Sequence, residues 1–347
     1  MFGFLKLKPQ KKKKARKNKA DLLVLKVKRA AFFMMGLLFF LFPGQNFFLT
    51  LSNFYRPTGI RALNFELSSP AALPVNLNLE EPPNLTAHSV LVLDKNSAVI
   101  LWSKNERIWL LPASTVKIMT ALVALDHYQL SDILTVGKVS LQGQDMELVA
   151  GEQISAQNLL YGLLLASAND AALILAQNYP GGEKAFIKAM NDKAAELNLT
   201  DSYFVNPTGL DSDEEGHLLA HYSYTTALDL ARLSVWALQN PFFTQTITQE
   251  KIEVTDITGK TKHALYNVNQ LLGKIEGLKG IKTGWTEEAG ECLVAYVQKN
   301  GQEIVTVVLG SQDRFGETSR LINWVFRNFS WQKVIPSIAD QEPPHRR

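Results

Sequence analysis

Apolar residues change their spacing three times along this chain, and each change marks a boundary between elements. Ser89-Val-Leu-Val-Leu-Asp94 and Ala98-Val-Ile-Leu-Trp102 are short apolar runs separated by Lys95-Asn96-Ser97, a pattern that predicts a hairpin. From Lys117 to Leu125 the spacing becomes helical, with Ile118, Leu122 and Leu125 on one line and Met119 and Val123 beside it. Pro112 suits the start of that helix, because its fixed φ is helical and its missing N–H would have had no partner there. Ser155 predicts the cap of a second helix that buries Leu159, Leu160, Leu163 and Leu164 and runs into Ala166–Ala172. Another helix starts at Leu173–Ala176, one spans Glu183–Leu197, and one spans Thr225–Leu238 up to Asn240-Pro241. From Ile247 the period is two, through Ile252-x-Val254, Ile281, Cys292–Val297 and Ile304–Leu309, the last following the Asn300-Gly301 turn. Arg320–Phe329 closes the series as a helix. Strands at both ends with a helical block between them predict an α/β (α+β) layer carrying a helical insertion, not an alternating parallel sheet.

The chain before residue 87 has a different texture. Residues 1–29 hold 12 Lys/Arg and one acid, Asp21, leaving 24 basic and 32 acidic residues beyond them. The overall charge of +3 therefore hides a folded part near −8, and nucleic-acid binding is not indicated. Ala30–Phe42 is uncharged; Pro43-Gly44-Gln45-Asn46 interrupts it, and Phe47–Leu51 brings the stretch to the length of a membrane span. A signal-peptide core after a basic segment is the competing reading. No small-x-small cleavage site follows Phe42 directly, which favours an uncleaved anchor, with the basic end in the cytoplasm and the rest outside. Pro57, Pro70, Pro74, Pro82 and Pro83 make the following stretch read as a stalk. The expected organisation is a basic segment (1–29), a membrane anchor or uncleaved signal (30–51), a Pro-rich linker (52–86), a catalytic domain (87–333) and a tail (334–347). The single Cys292 excludes an internal disulfide and neither demands nor excludes an oxidising compartment.

Three short stretches carry candidate chemistry. In Pro112-Ala-Ser-Thr-Val-Lys117, Ser114 sits in the first helical turn, where free N–H groups favour developing negative charge. Lys117 lies one turn along the same face, so its amine reaches the Ser114 hydroxyl, a nucleophile beside its base. Alone, this Ser-x-x-Lys spacing also occurs in many exposed helices. Ser167-Ala168-Asn169 falls at a helix-to-helix junction, where a hydroxyl and a carboxamide can face one cleft; a helix cap is the plainer reading. Gly280-Ile-Lys-Thr-Gly-Trp-Thr286 reads as a strand edge with Lys282 and Gly284 on one face, the glycine admitting a substrate backbone. An ordinary edge strand with a protective lysine is the plainer reading there.

In this order, Ser-x-x-Lys, Ser-x-Asn and Lys-Thr-Gly form the set found in penicillin-binding proteins and class A β-lactamases. From about Thr86 to Phe329 the chain resembles the low-molecular-mass serine D-alanyl-D-alanine carboxypeptidases. The likeness extends to Pro112–Leu122, Ser167–Ala172, Asn206-Pro-Thr-Gly-Leu-Asp211 and Gly280–Gly290. It implies a β-lactamase/DD-peptidase-like antiparallel sheet flanked by helices, with an all-helical subdomain and the active site between them. Ser114 would attack the carbonyl between the terminal D-alanines of a peptidoglycan stem peptide. Lys117 would take its proton, its pKa lowered by burial and by Lys282 opposite. Ser167 would relay a proton to the leaving amine, and Asn169 would hold Lys117 or the substrate amide. Lys282 and Thr283 would take the terminal carboxylate, while the N–H groups of Ser114 and Trp285 would form the oxyanion hole. β-Lactams would acylate Ser114 as covalent inhibitors, and no cofactor is called for.

The chain departs from the family pattern at Ala168, often glycine, and at Trp285, more usually Tyr or His. Relatives commonly carry a second β-rich domain and a C-terminal anchor; an anchor at residues 30–51 would hold this enzyme at the membrane instead. Asp211-Ser-Asp213-Glu-Glu215-Gly216 matches half a calcium loop, but Tyr222 stands where the loop needs Glu. His217 and His221 lack the Glu of a zinc HExxH, so no metal is expected. The nearest rival function is a DD-endopeptidase acting on cross-linked peptidoglycan. A β-lactamase would need a Glu-x-x-Leu-Asn stretch between the second and third motifs, and Glu196-Leu197-Asn198 has the wrong spacing. A non-catalytic wall-binding protein would not need the full set of reactive residues.

Overall fold

The computed structural model describes residues 72–138, 143–211 and 222–333, together with Lys26. The expected basic segment (Lys26 aside), anchor and tail lie outside these residues, as do His217, His221 and the calcium-like stretch after Asp211. Among the described residues, no helix is long and apolar enough to cross a membrane.

Alternation along three strands builds the centre of the domain. A five-stranded antiparallel sheet has the order β3-β2-β10-β9-β8, with β2 Ser89–Asp94, β3 Ile100–Lys104, β8 Leu278–Thr286, β9 Gly290–Lys299 and β10 Gln302–Ser311. Successive side chains point to opposite faces, so each strand feeds two cores. Leu91, Val294, Val305 and Val307 join the larger core with the helical block. Val90, Val92, Leu293, Ala295 and Val297 join Leu321, Ile322, Trp324 and Val325 of the C-terminal helix on the other face. With both faces covered, β2 is buried throughout, which is why it reads as a continuous apolar run.

The helical block comprises α1 Lys117–His127, α2 Ala156–Tyr161, α3 Asn169–Gln177, α4 Gly182–Glu196, α5 Ala227–Ala237 and α6 Pro241–Ile247. Ser155 caps α2 by accepting from the Asn158 N–H at 3.2 Å. The α2 helix then passes into a wider π-type turn, Gly162–Ala166. Two short antiparallel pairs attach to the block: β4 Ile133–Thr135 with β5 Gln153–Ser155, and β6 Lys251–Thr255 with β7 Lys262–Tyr266. The α+β class and the strand–helix–strand order agree with the sequence expectation.

The boundaries differ in four places, each with a local cause. The β2–β3 turn is longer than three residues: Asp94 accepts from the Ser97 N–H at 2.8 Å and the Ala98 N–H at 2.9 Å, and Ala98 has φ 57°. The chain leaves helix before Asn240-Pro241 as expected but re-enters it at once: Asn240, in extended conformation, caps the short α6 by accepting from the Phe243 N–H at 3.1 Å, with Pro241 in the first turn. The C-terminal helix, α7, spans Arg314–Asn328 and so begins six residues before Arg320, capped by Asp313 on the Gly316 N–H. Its first turns bury polar Glu317 and Thr318, which the apolar period cannot reveal. Finally, residues 72–86 of the expected linker lie on the domain. β1 Leu73–Asn76 pairs with β11 Phe329–Gln332, Trp324 Nε1 donates to the Glu80 carbonyl at 3.1 Å, and Leu85 is buried.

Candidate active site

The three motifs meet between the sheet edge and the helical block. Ser114 lies in a 3₁₀ turn, Ala113–Val116, that leads straight into α1. Lys117 is fully buried, and its Nζ has three oxygen partners: Ser114 Oγ at 3.0 Å, Asn169 Oδ1 at 2.7 Å and the Thr208 carbonyl at 2.7 Å. A carboxamide oxygen and a backbone carbonyl only accept, so they fix two N–H groups of the amine. In the neutral amine the remaining lone pair then faces the Ser114 hydroxyl, the partner able to donate. Burial, and next the nearby charge of Lys282, hold the Lys117 pKa well below the ordinary lysine range; Asp170 opposes them.

Ser167 ends the π-type turn in the left-handed conformation, φ 62°, and Asn169 opens α3. The Asn169 N–H donates to the Gln144 carbonyl at 2.8 Å, tying α3 to the segment that starts at Gly143. On the opposite wall, β8 is the edge strand. Lys282 is buried there, with Nζ 3.1 Å from the Thr283 carbonyl, and burial followed by the charge of Arg314 brings its pKa down to about 7. Ser114, Ser167, Asn169, Thr283, Gly284 and Trp285 all line one cleft of about 980 Å³. Trp285 is 61% exposed at its rim. Lys117 and Lys282 lie behind this lining.

Gly284 differs from expectation in what it approaches. A Cβ there would stand 3.0 Å from both the Ser114 nitrogen and the Ala113 Cβ, so the glycine lets β8 close on the Ser114 turn. Its close neighbour is the enzyme's backbone.

Several residues at the site carry no signal in the three triplets. Asn206 Oδ1 accepts from the Thr208 N–H at 3.1 Å and the Gly209 N–H at 2.7 Å, folding a turn that presents the Thr208 carbonyl to Lys117. Gly209, φ 76°, packs so tightly that a Cβ would come within 2.1 Å of the Ala113 carbonyl oxygen. Thr120 Oγ1 donates to the Pro207 carbonyl at 2.7 Å, locking this turn to α1. The Asn-Pro-Thr-Gly stretch was visible in the resemblance, but its purpose was not. Arg314, the first residue of α7, lines the cleft and donates from Nη1 to the Gly284 carbonyl at 2.8 Å. Its position depends on where α7 begins, which periodicity misplaces. Asp211, at the rim, is pushed up to about 6, chiefly by burial and then by a hydrogen bond with Glu288, while Thr286 opposes the shift.

Comparison with known proteins follows the same residues. The sequence profile of a family described as D-alanyl-D-alanine carboxypeptidase matches residues 76–313. The chain is 35% identical over 263 residues to a D-alanyl-D-alanine endopeptidase of Pseudomonas aeruginosa, covering 74% of this chain and 82% of that protein. It is 32% identical over 253 residues to the D-alanyl-D-alanine carboxypeptidase DacF of Bacillus subtilis, covering 70% of this chain and 63% of DacF. Among solved structures, a Mycobacterium tuberculosis D-alanyl-D-alanine carboxypeptidase superposes with TM-score 0.67 at 28% identity, covering 73% of this chain and 95% of that one. The Streptomyces K15 DD-transpeptidase superposes with TM-score 0.66 at 27% identity over 72% of this chain and all of that one. The chain belongs to the D-alanyl-D-alanine carboxypeptidase family of serine peptidases.

Proposed function

We propose that this protein removes the terminal D-alanine from peptidoglycan stem peptides through an acyl-enzyme on Ser114. The observation that carries the reading is the Lys117 amine, fully buried and 3.0 Å from the Ser114 hydroxyl, with two acceptors holding its other positions. Lys117 takes the Ser114 proton as Oγ attacks the carbonyl carbon between the two D-alanines. The N–H groups of Ser114 and Trp285 receive the oxyanion; Gly284, packed against the Ser114 nitrogen, lets the two approach. The tetrahedral adduct collapses with the C–N bond breaking, and the departing D-alanine amine gains a proton from Lys117 through Ser167. Water then attacks the ester and frees the shortened peptide.

The substrate carboxylate is assigned differently from the sequence reading. Lys282 is only 1% exposed and its amine turns to the Thr283 carbonyl, so its charge acts from behind the wall. Arg314 and Thr283 line the cleft itself and suit the carboxylate directly. A DD-endopeptidase acting on cross-linked peptide is the second reading, favoured by the P. aeruginosa relative of that name. Residues 30–51 would anchor the chain with the catalytic domain outside the cytoplasm, as the basic segment before them suggests.

The test is release of free D-alanine from diacetyl-Lys-D-Ala-D-Ala, alongside covalent labelling by a fluorescent penicillin. Ser114→Ala is expected to lose both. Labelling that survives would remove Ser114 as the nucleophile, and cleavage of cross-linked muropeptide dimers to monomers without release of D-alanine would select the endopeptidase.

A further inference from the structure

The cleft wall beside Asn169 is held by groups outside all three motifs. Gly143 and Gln144 line the cleft, and the segment they open runs on to Val149. The Asp170 carboxylate accepts from the Met146 N–H at 3.1 Å and from the Leu148 N–H at 3.1 Å. Glu152 Oε2 accepts from the Val149 N–H at 3.1 Å. From the far side, His263 on β7 places Nδ1 2.7 Å from the Met146 carbonyl and Nε2 2.8 Å from Glu152 Oε1. The His263 and Glu152 side chains are 3% and 2% exposed. The Met146 side chain is buried over Gly162, where a Cβ would meet its sulfur at 2.3 Å. Gly162 opens the π-type turn that delivers Ser167, and the Val268 N–H just after β7 donates to Leu165 in the same turn.

Two observations separate this arrangement from general packing. Three buried polar side chains, of which His263 and Glu152 are bonded to each other, are directed at the main chain of a segment that has no regular secondary structure of its own. That segment is also bonded to the backbone of Asn169, the residue that holds Lys117. An irregular cleft wall keeps one geometry only if other groups satisfy its backbone, and a small displacement there is felt in substrate positioning.

We propose that His263 and Glu152, together with Asp170, are positioning residues that set how tightly the stem peptide is held, by fixing the Gly143–Val149 wall against Asn169. The inference rests on the peptidase reading above. Asn169 ties the wall to Lys117, but the Thr208 carbonyl also holds that amine from outside the wall, so the larger effect is expected on KM and the smaller on kcat.

The experiment compares His263→Leu, which loses both contacts, with His263→Asn, whose amide can donate to the Met146 carbonyl in place of Nδ1, and with Glu152→Leu. Kinetics on diacetyl-Lys-D-Ala-D-Ala are read with hydrogen exchange over residues 143–149 in the full-length protein. His263→Leu is expected to raise KM about tenfold with kcat within about threefold, and to speed exchange in that segment. His263→Asn is expected to recover most of the KM, which a general loss of packing would not. The proposal is overturned if folded His263→Leu keeps the wild-type KM, if Asn rescues nothing, or if kcat falls while KM stays. Should His263→Leu not fold, Glu152→Leu, which loses the contacts to His263 and to the Val149 N–H, is read in the same way: a raised KM with faster exchange supports the proposal, and an unchanged KM overturns it. Wild-type protein that turns over no peptide would instead sink the peptidase reading, while the exchange comparison would still decide whether His263 holds the wall.

Discussion

Two lysines buried within one site set opposite requirements. On the proposed mechanism Lys117 must be neutral to accept a proton, and the charge of Lys282 lowers its pKa after burial has done so. Removing that charge with Lys282→Met is expected to raise the Lys117 pKa and move the acidic limb of penicillin acylation to higher pH, as read from labelling rates across a pH series. An unmoved limb would leave burial alone in control of Lys117. The same substitution bears on stability, with a definite sign. Lys282 has a native pKa of about 7 against an ordinary 10.5, so between those values the unfolded chain binds more protons. Stability from this group therefore rises with pH through that window, at up to about 1.4 kcal/mol per pH unit, and its cost is full below pH 7. Lys282→Met is expected to be more stable than wild type by the largest margin near pH 6, and by a shrinking margin toward pH 10, in urea titrations. Ser114, Lys117, Ser167, Asn169 and Lys282 could be picked out from sequence because residue type and short spacing carry their chemistry. Arg314 could not, since a lone arginine has no such pattern until a helix start brings it to the cleft.

At the scale of elements, the site depends on how closely three backbones approach. The 3₁₀ turn carrying Ser114 is pressed between the Asn206–Gly209 turn and strand β8, with Gly209 and Gly284 at the two contacts. These contacts differ in tolerance. A Cβ at Gly284 meets its neighbours at 3.0 Å, while one at Gly209 would stand 2.1 Å from the Ala113 carbonyl oxygen in a backbone conformation side chains avoid. Gly284→Ala is expected to fold and to slow acylation by about tenfold or more, by displacing the oxyanion donors. Gly209→Ala is expected to destabilise by several kcal/mol on the order of other backbone clashes, measured as a lower denaturation midpoint. Equal and small effects at the two sites would show that the turn yields freely. The glycines were visible as letters in motifs; which backbone each one admits was not, because the approach joins segments far apart in the chain.

At the scale of the whole domain, the sheet separates two cores with different duties. The helical face holds the site, while the other face buries Trp324, Leu321 and Val325 against β9 and β10, and α7 reaches the cleft through Arg314 at its start. Trp324→Ala is expected to cost about 3–5 kcal/mol of stability, yet the folded protein should acylate at the wild-type rate. A matching loss of rate would couple the two faces. Residues 72–86 belong to this second face through Leu85, the Glu80 carbonyl and the Thr86 N–H, which donates to Glu317. Their proline-rich, aperiodic sequence concealed that docking because β1 pairs only with β11 and buries neither face fully.

By itself the sequence determined the strand–helix–strand order, the α+β class, and the three reactive triplets whose residues meet at the candidate site. Each of these is a local property: period, residue type and spacing within a turn act over a few residues. The tertiary structure alone decided that the Thr208 carbonyl orients the Lys117 amine, that Arg314 and not Lys282 faces the cleft, and that Gly284 receives the Ser114 turn. Those facts depend on distances between segments tens to hundreds of residues apart, and such distances exist only once the chain has packed.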